Sequence, residues 1–340
     1  MLATIIRQIN VRGTASMNYR SVGDLARLAS QYASKVPQDI EVVVGIPRSG
    51  MLAASVIALK SNLPLTDLYS FMRNDDLKRG STRSYKLSHL VRPQEARKIL
   101  LVDDSVASGK SLQAAVEQLK AVYSGEIVTL AAFVLNESKS LVDIYLDIVP
   151  QPRLFEWNIM HHSCLEHACF DIDGVLCVDP TMQENDDGPK YIEFMQRTLP
   201  MVIPSVRIKH LVTSRLEKYR AETEEWLSRH GVQYEHLHML DLPSAAERRR
   251  LNMHGKFKAS VYQSDPQTVL FVESEPHQAL EIMRISNKPV YCTGNNEMYV
   301  PGMNLSTLQV KVEKKASSFR RKLRSFIRRN LDRLHPRPTI

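Results

Sequence analysis

The chain has 340 residues, of which 43% are hydrophobic and 24% charged; this is too apolar for a disordered chain and long enough for about two cores of ordinary size. Its longest mainly apolar runs, near 51–59 and 128–135, fall far short of the ~20 residues a membrane-crossing helix needs, and the opening MLATIIRQINVRG lacks the apolar length and small-residue site of a signal peptide. The net charge of +8 is local: residues 311–340 hold eleven Lys/Arg against Glu313 and Asp332, so the tail carries +9 and the other 310 residues −1, and the basic balance is weak evidence for nucleic-acid binding by the body.

Strand and helix signals alternate, as in α/β proteins. A helix is predicted over 21–36, with Val22, Leu25, Leu28, Ala29, Tyr32 and Val36 on one face. A buried β-branched strand follows over 40–46, then a helix from Gly50 and a strand near 65–71. The polar stretch 73–92 reads as a long mobile loop carrying Arg79, Arg83 and Lys86; its Asp75 and Asp76 read as solvated charges. A strand over 98–103, a helix over 109–122 and a strand over 127–134 complete this set. After a break near 150–167 come strands over 168–172, 207–212 and 268–272, with helices over 216–230 and 276–286. Cys164, Cys169, Cys177 and Cys292 are too few to staple so long a chain and suit a reducing cytoplasm. In HHSCLEHAC the spacing matches no closed zinc site, and Cys169 precedes a buried strand.

Two strand ends in the first set carry chemistry. In VVVGIPRSG the chain leaves a strand at Gly45 and turns through Arg48, Ser49 and Gly50 into a helix. In ILLVDDSVASGKS the paired acids Asp103 and Asp104 end a strand, and small residues open the next helix. Such a loop turns backbone N–H groups and a positive helix end toward a phosphate, and adjacent acids suit sugar hydroxyls attached to it.

The stretch 100–112 resembles the donor-binding signature of type I phosphoribosyltransferases, whose donor is 5-phosphoribosyl-1-diphosphate (PRPP). The resemblance implies that Asp103 and Asp104 hold the ribose hydroxyls. It places the 5-phosphate on Ser105, Ala107, Ser108, Gly109, Lys110 and Ser111. The diphosphate falls to Arg48, Ser49 and Gly50, with the 73–92 loop closing over it.

The second set opens on FDIDGVLC, where Asp171 and Asp173 alternate at a strand end, so that one carboxylate can attack phosphorus while the other protonates the leaving oxygen. This resembles the haloacid dehalogenase superfamily, and further motifs follow in its order. The resemblance implies a phosphate-binding hydroxyl at Thr213 in LVTSR and a lysine at Lys258 or Lys256 in HGKFKASVY. It implies magnesium held by Asp171, Asp173 and the acids Glu273 and Glu275 of LFVESE. The short gaps between these motifs leave room for a small cap only.

The sequence therefore predicts an α/β chain of two doubly wound Rossmann-like domains: a phosphoribosyltransferase domain at 1–158, a haloacid dehalogenase-like phosphatase domain at 159–308, and a basic tail at 309–340. In the tail Phe319, Leu323, Phe326, Ile327, Leu331 and Leu334 recur at helical spacing opposite arginines, which favours an anionic membrane surface over a nucleic-acid arm or a helix docked on the body. Installing a 5-phosphoribosyl group and removing a phosphate makes sense where plain ribofuranose is the product. The architecture resembles the dual-domain ribofuranosyltransferases of bacterial surface polysaccharide (O-antigen or capsule) assembly. That resemblance implies a lipid-linked glycan acceptor, Mg2+, and a cytoplasmic protein at the inner face of the membrane, with homo-oligomerisation left open. The rival readings are a nucleobase phosphoribosyltransferase fused to a nucleotidase, and a PRPP-sensing regulator.

Overall fold

The computed structural model describes residues 17–78 and 89–303; the basic tail, and Arg79, Arg83 and Lys86 of the polar loop, lie outside the described residues. The chain divides into two compact units. One runs to Leu165 and takes in Pro204–Val206; the other comprises Glu166–Ile203 and the chain from Arg207 onward. The sequence boundary at 158/159 falls inside the 3-10 turn Glu156–His161, which stays with the first unit.

The first unit is built on a five-stranded, wholly parallel sheet. Its strands are β2 (Val42–Gly45), β3 (Leu65–Asp67), β4 (Lys98–Val106), β5 (Glu126–Val134) and β6 (Ile144–Ile148), in the order β3-β2-β4-β5-β6. A second, two-stranded parallel ribbon pairs β1 (Asn18–Arg20) with β7 (Arg153–Phe155). Helices α1 (Val22–Gln31), α2 (Gly50–Ser61), α3 (Leu68–Met72) and α4 (Lys110–Lys120) complete the unit. The central strands read as continuous apolar runs because both faces are covered: Leu100 and Val102 enter one core, Ile99 and Leu101 the other. Helix α1 starts where Ser21 and Asp24 close a capping box. The strand predicted near 65–71 is corrected: it stops at Asp67, whose carboxylate accepts the N–H groups of Tyr69 and Ser70 and so caps α3.

The second unit carries a mixed six-stranded sheet of β8 (Ala168–Phe170), β9 (Ile208–Leu216), β10 (Tyr234–Leu240), β11 (Leu270–Glu273), β12 (Val290–Cys292) and β13 (Glu297–Tyr299). The order is β10-β9-β8-β11-β12-β13, parallel except for the β12–β13 pair. Its helices are α5 (Pro189–Arg197), α6 (Arg220–Arg229), α7 (Ala245–Leu251), α8 (His254–Ser264) and α9 (Pro276–Ser286).

Both sheets have a switch point, where the strand order reverses and a crevice opens at the carboxyl ends of the strands. In the first unit it lies between β2 and β4; in the second, between β8 and β11. All four cysteines are buried and free. No described helix is long and apolar enough to cross a membrane.

Candidate active sites

At the first switch point β4 ends in the acid pair. Asp103 and Asp104 are both buried, and Asp103 Oδ1 accepts the N–H of Asp104 at 2.9 Å. Burial, and then the neighbouring charge of Asp104, push Asp103 up to about 7. Asp104 is held on both sides: Ser49 donates its hydroxyl to Oδ1 and Trp157 its indole N–H to Oδ2, each at 2.8 Å. Trp157 is fixed in turn by stacking on Phe155, with centroids 5.2 Å apart and planes 9° from parallel. The sequence reading assigned Ser49 to the diphosphate; in this structure its hydroxyl serves Asp104.

The phosphate loop is tighter than predicted. Strand β4 continues through Ser105 to Val106, so only Ala107, Ser108 and Gly109 form the turn before α4 begins at Lys110. Gly109 adopts φ +75°, open to glycine at little cost, and caps α4 without a side chain. The first-turn N–H groups therefore have no side-chain cap and can face an anion. Ser108, Lys110 and Ser111 are exposed, and the Ser138 hydroxyl donates to the Ala107 carbonyl, pinning the turn from beneath.

The other rim of the crevice is the turn after β2. Ile46 donates its N–H to the Val102 carbonyl at 2.9 Å, which ties the start of this turn to β4. The Pro47–Arg48 peptide is cis, and Arg48 is exposed. Gly50 sits where helix and strand almost touch: a Cβ there would lie 2.9 Å from the Val102 carbonyl oxygen and 3.0 Å from Asp103 Oδ1. Asp103 and Asp104 are the hard oxygen donors here that could contact a magnesium ion arriving with a diphosphate.

At the second switch point the register sets Asp171 and Glu273 side by side, one residue beyond the pair Phe170–Val272. Lys258, from α8, lies between them, with Nζ 2.6 Å from Asp171 Oδ2, 2.7 Å from Glu273 Oε2 and 3.0 Å from Gln278 Oε1. All three charged groups are buried, whereas Lys256 is exposed, so the lysine of this cluster is Lys258. Burial, with Glu273 adding to it, holds Asp171 up at about 7 although Lys258 opposes the shift. Burial alone would lower Lys258, but the two flanking carboxylates outweigh it and raise it. Thr213 is buried on β9, the strand beside β8, and its hydroxyl accepts the N–H of Arg215 at 3.2 Å.

The four acids expected to bind magnesium are not gathered in this structure. Strand β8 ends at Phe170, so strand alternation no longer aims Asp171 and Asp173 together. Asp173 instead forms a two-point pair with Arg215, Nη2 at 2.6 Å and Nε at 3.1 Å, while Arg215 is fully buried. Glu275 turns away to cap α9, accepting the Gln278 N–H at 2.7 Å. Glu273 Oε1 accepts the N–H groups of Ser274 and Glu275. Among the described residues no group of three or more His, Cys, Asp or Glu is arranged to hold a metal ion. As arranged, these acids are matched to cations and N–H donors of the chain itself.

Four residues near these sites escaped the sequence reading. Trp157 and Arg153 gave no motif signal, and Asp179 lies beyond FDIDGVLC. Arg215 was visible as the last residue of LVTSR, but nothing marked it as the partner of Asp173. The Asp179 carboxyl is held up by burial and by the field of Asp173 and Glu273.

Residues 18–164 match the phosphoribosyl transferase domain family. A protein of Archaeoglobus fulgidus named transcriptional regulator GfcR is 30% identical over 109 residues, covering 32% of this chain and 53% of the relative. The bifunctional protein PyrR of Corynebacterium diphtheriae is 30% identical over 122 residues, covering 32% of this chain and 64% of the relative. The chain thus spans between half and two thirds of these curated relatives. Among solved structures, the purine phosphoribosyltransferase of Pyrococcus horikoshii is 18% identical, covering 42% of this chain and 93% of that one with a TM-score of 0.31. The xanthine-guanine-hypoxanthine phosphoribosyltransferase of Helicobacter pylori is 22% identical, covering 43% and 94% with a TM-score of 0.32. On the family match, the parallel sheet and the acid pair at its switch point, residues 18–164 form a type I phosphoribosyltransferase domain.

Proposed function

We propose that this protein transfers a 5-phosphoribosyl group from PRPP to a glycan hydroxyl and then hydrolyses the 5-phosphate, leaving a β-ribofuranose residue. The observation that carries the reading is that one chain has two chemically equipped switch points. One pairs an acid couple with a turn open to an anion; the other buries a carboxylate against a lysine. The second unit's strand order, with β8 central between β9 and β11, supports a haloacid dehalogenase-like domain, because it sends Asp171, Thr213 and Glu273 to one sheet edge.

In the transfer step Asp103 and Asp104 accept hydrogen bonds from the ribose hydroxyls. The 107–111 segment receives the 5-phosphate, and Arg48 with its turn receives the departing diphosphate. Magnesium supplies charge neutralisation on that leaving group when bound. As the C1–oxygen bond of the α-linked donor breaks, the ribose gains oxocarbenium character. The acceptor oxygen bonds from the opposite face, giving the β-linkage, and releases its proton. In the second step Asp171 attacks the 5-phosphate and Asp173 protonates the leaving ribose oxygen, which requires Asp173 to leave its pair with Arg215. Water then cleaves the aspartyl phosphate, while Lys258 and Thr213 stabilise phosphoryl charge.

The names of the curated relatives favour a second reading, a PRPP-responsive regulator. One experiment separates them: the full chain is given PRPP, magnesium and synthetic or lipid-linked glycans, and the products are weighed. A ribosylated glycan supports the transferase reading. Unconsumed PRPP together with DNA binding supports the regulator, and a nucleoside formed from an added base supports the salvage-like alternative. The membrane role of residues 309–340 stands as part of the proposal, resting on their charge and apolar spacing.

A further inference from the structure

Among the described residues of the first unit, one buried cation has a nitrogen that makes no hydrogen bond. Arg153, the first residue of β7, is 8% exposed, and its Nη1 is sealed from solvent with no hydrogen-bond partner. Buried guanidinium N–H groups are almost always paired, so an unpaired one marks a place where an acceptor is missing. The two acids whose fields reach it are Asp104 and Glu137. Neither accepts a hydrogen bond from Nη1 in this structure: Asp104 accepts from Ser49 and Trp157, each at 2.8 Å, and Glu137 is exposed. The guanidinium carbon lies 5.4 Å from the ring of Phe155, and Phe155 stacks on the Trp157 that holds Asp104. Arg153 is thus built into the same wall as the acid pair.

The donor leaves nothing for Arg153 to bind. PRPP carries a 5-phosphate, a diphosphate and ribose hydroxyls. The site described above offers them the 107–111 turn, the 45–50 turn, and Asp103 with Asp104. An anion that reaches Arg153 would then come with the acceptor. We propose that Arg153 receives an anionic group, a carboxylate or phosphate, carried by the acceptor, so that the first unit selects acidic acceptors. The proposal rests on the phosphoribosyl-transfer reading and narrows its acceptor class. Two sources share this chemistry, an acidic sugar of a glycan and a carboxylated nucleobase.

The test uses the full chain carrying Asp171→Asn, so that the second unit cannot hydrolyse the phosphate, with magnesium and ribose 5-phosphate, which fills the donor site but lacks the diphosphate leaving group. Calorimetry then measures binding of glucuronate against glucose, and of orotate against uracil; carboxylates avoid the phosphate chemistry of the second unit. The charged member of at least one pair should bind at least about tenfold tighter than its neutral counterpart. Arg153→Gln should shrink that advantage to about twofold or less and leave ribose 5-phosphate affinity unchanged. Arg153→Lys, which keeps the charge if the Gln variant does not fold, should weaken the carboxylate about threefold or more without affecting the neutral partner. A preference within the sugar pair assigns the anion to a glycan, and one within the base pair to a nucleobase. Equal binding of charged and neutral members in both pairs overturns the proposal. So does an Arg153→Gln variant that loses ribose 5-phosphate as severely as the acid, since Arg153 would then belong to the donor. If the chain with Arg153 intact shows no ribose 5-phosphate binding that Asp103→Ala removes, the transfer reading itself fails, a result distinct from a missing charge preference.

Discussion

Asp103 shows how a site residue sets chemistry against stability. Its pKa is about 7 in the folded chain, against 3.8 for the unperturbed group, because burial and then Asp104 disfavour the charge. Between those values the native state binds the proton that the unfolded chain has released, so this group's contribution to stability falls as pH rises through that window. Asp103→Asn keeps an oxygen for the Asp104 N–H but cannot ionise. Thermal unfolding should show the variant more stable than the parent by on the order of 2 kcal/mol at pH 8, and by little at pH 4. Its transferase activity should be lost. An equal stability difference at both pH values would contradict the assignment. Lys258 is the converse case, a buried cation that two acids require. Lys258→Met leaves Asp171 and Glu273 adjacent and unpaired, and should cost about 3 kcal/mol or more at pH 8. The cost should shrink toward pH 5 as the acids take up protons, and Glu273→Gln added to Lys258→Met should restore part of it. Denaturant curves followed at Trp226, which is buried in the second unit, measure this; strictly additive losses would mean that no such cluster forms.

At the scale of elements, Gly50 locks the two turns of the first site together. A Cβ there meets the Val102 carbonyl, which is backbone and cannot swing aside, and presses on Asp103. Gly50→Ala should weaken ribose 5-phosphate binding at least about tenfold and destabilise the unit by about 2 kcal/mol. Unaltered binding would mean that the helix can retreat without disturbing the acids. The buried strands and capped helices were legible because their signals are local: the apolar run of β4, the S-x-x-D box of α1, and Pro276 opening α9 over the 276–286 span predicted for it. Strand β10 was missed because it is an edge strand whose sequence interleaves Glu235, His236 and His238 with apolar residues. The strand expected to reach Phe71 stops early because one aspartate cap outweighs a short apolar pattern. The motif residues of both sites were legible, but their pairings were not. Asp173 with Arg215, Lys258 with Asp171, and Trp157 with Asp104 join residues 42 or more positions apart, set by how distant elements pack. Only the Lys258–Glu273 link, 15 positions long, is more local.

At the scale of the molecule, each compact unit brings its own sheet, core and switch point, and the two sites share no residue. The first unit's identity rests on a family match, and the proposed joint activity rests on the chemistry of both. In the proposed sequence one unit adds a phosphoribosyl group and the other strips its phosphate. Asp171→Asn tests it most directly. The substitution removes the only carboxylate proposed to bond phosphorus and leaves Asp103, Asp104 and the phosphate turn untouched. With PRPP, magnesium and an acceptor that the unsubstituted protein ribosylates, mass spectrometry should find glycan bearing 5-phosphoribose in the variant and the same glycan with plain ribose in the parent. Ribosylated glycan already free of phosphate in the Asp171→Asn variant would mean that Asp171 is not the nucleophile and that the second unit does not act as proposed.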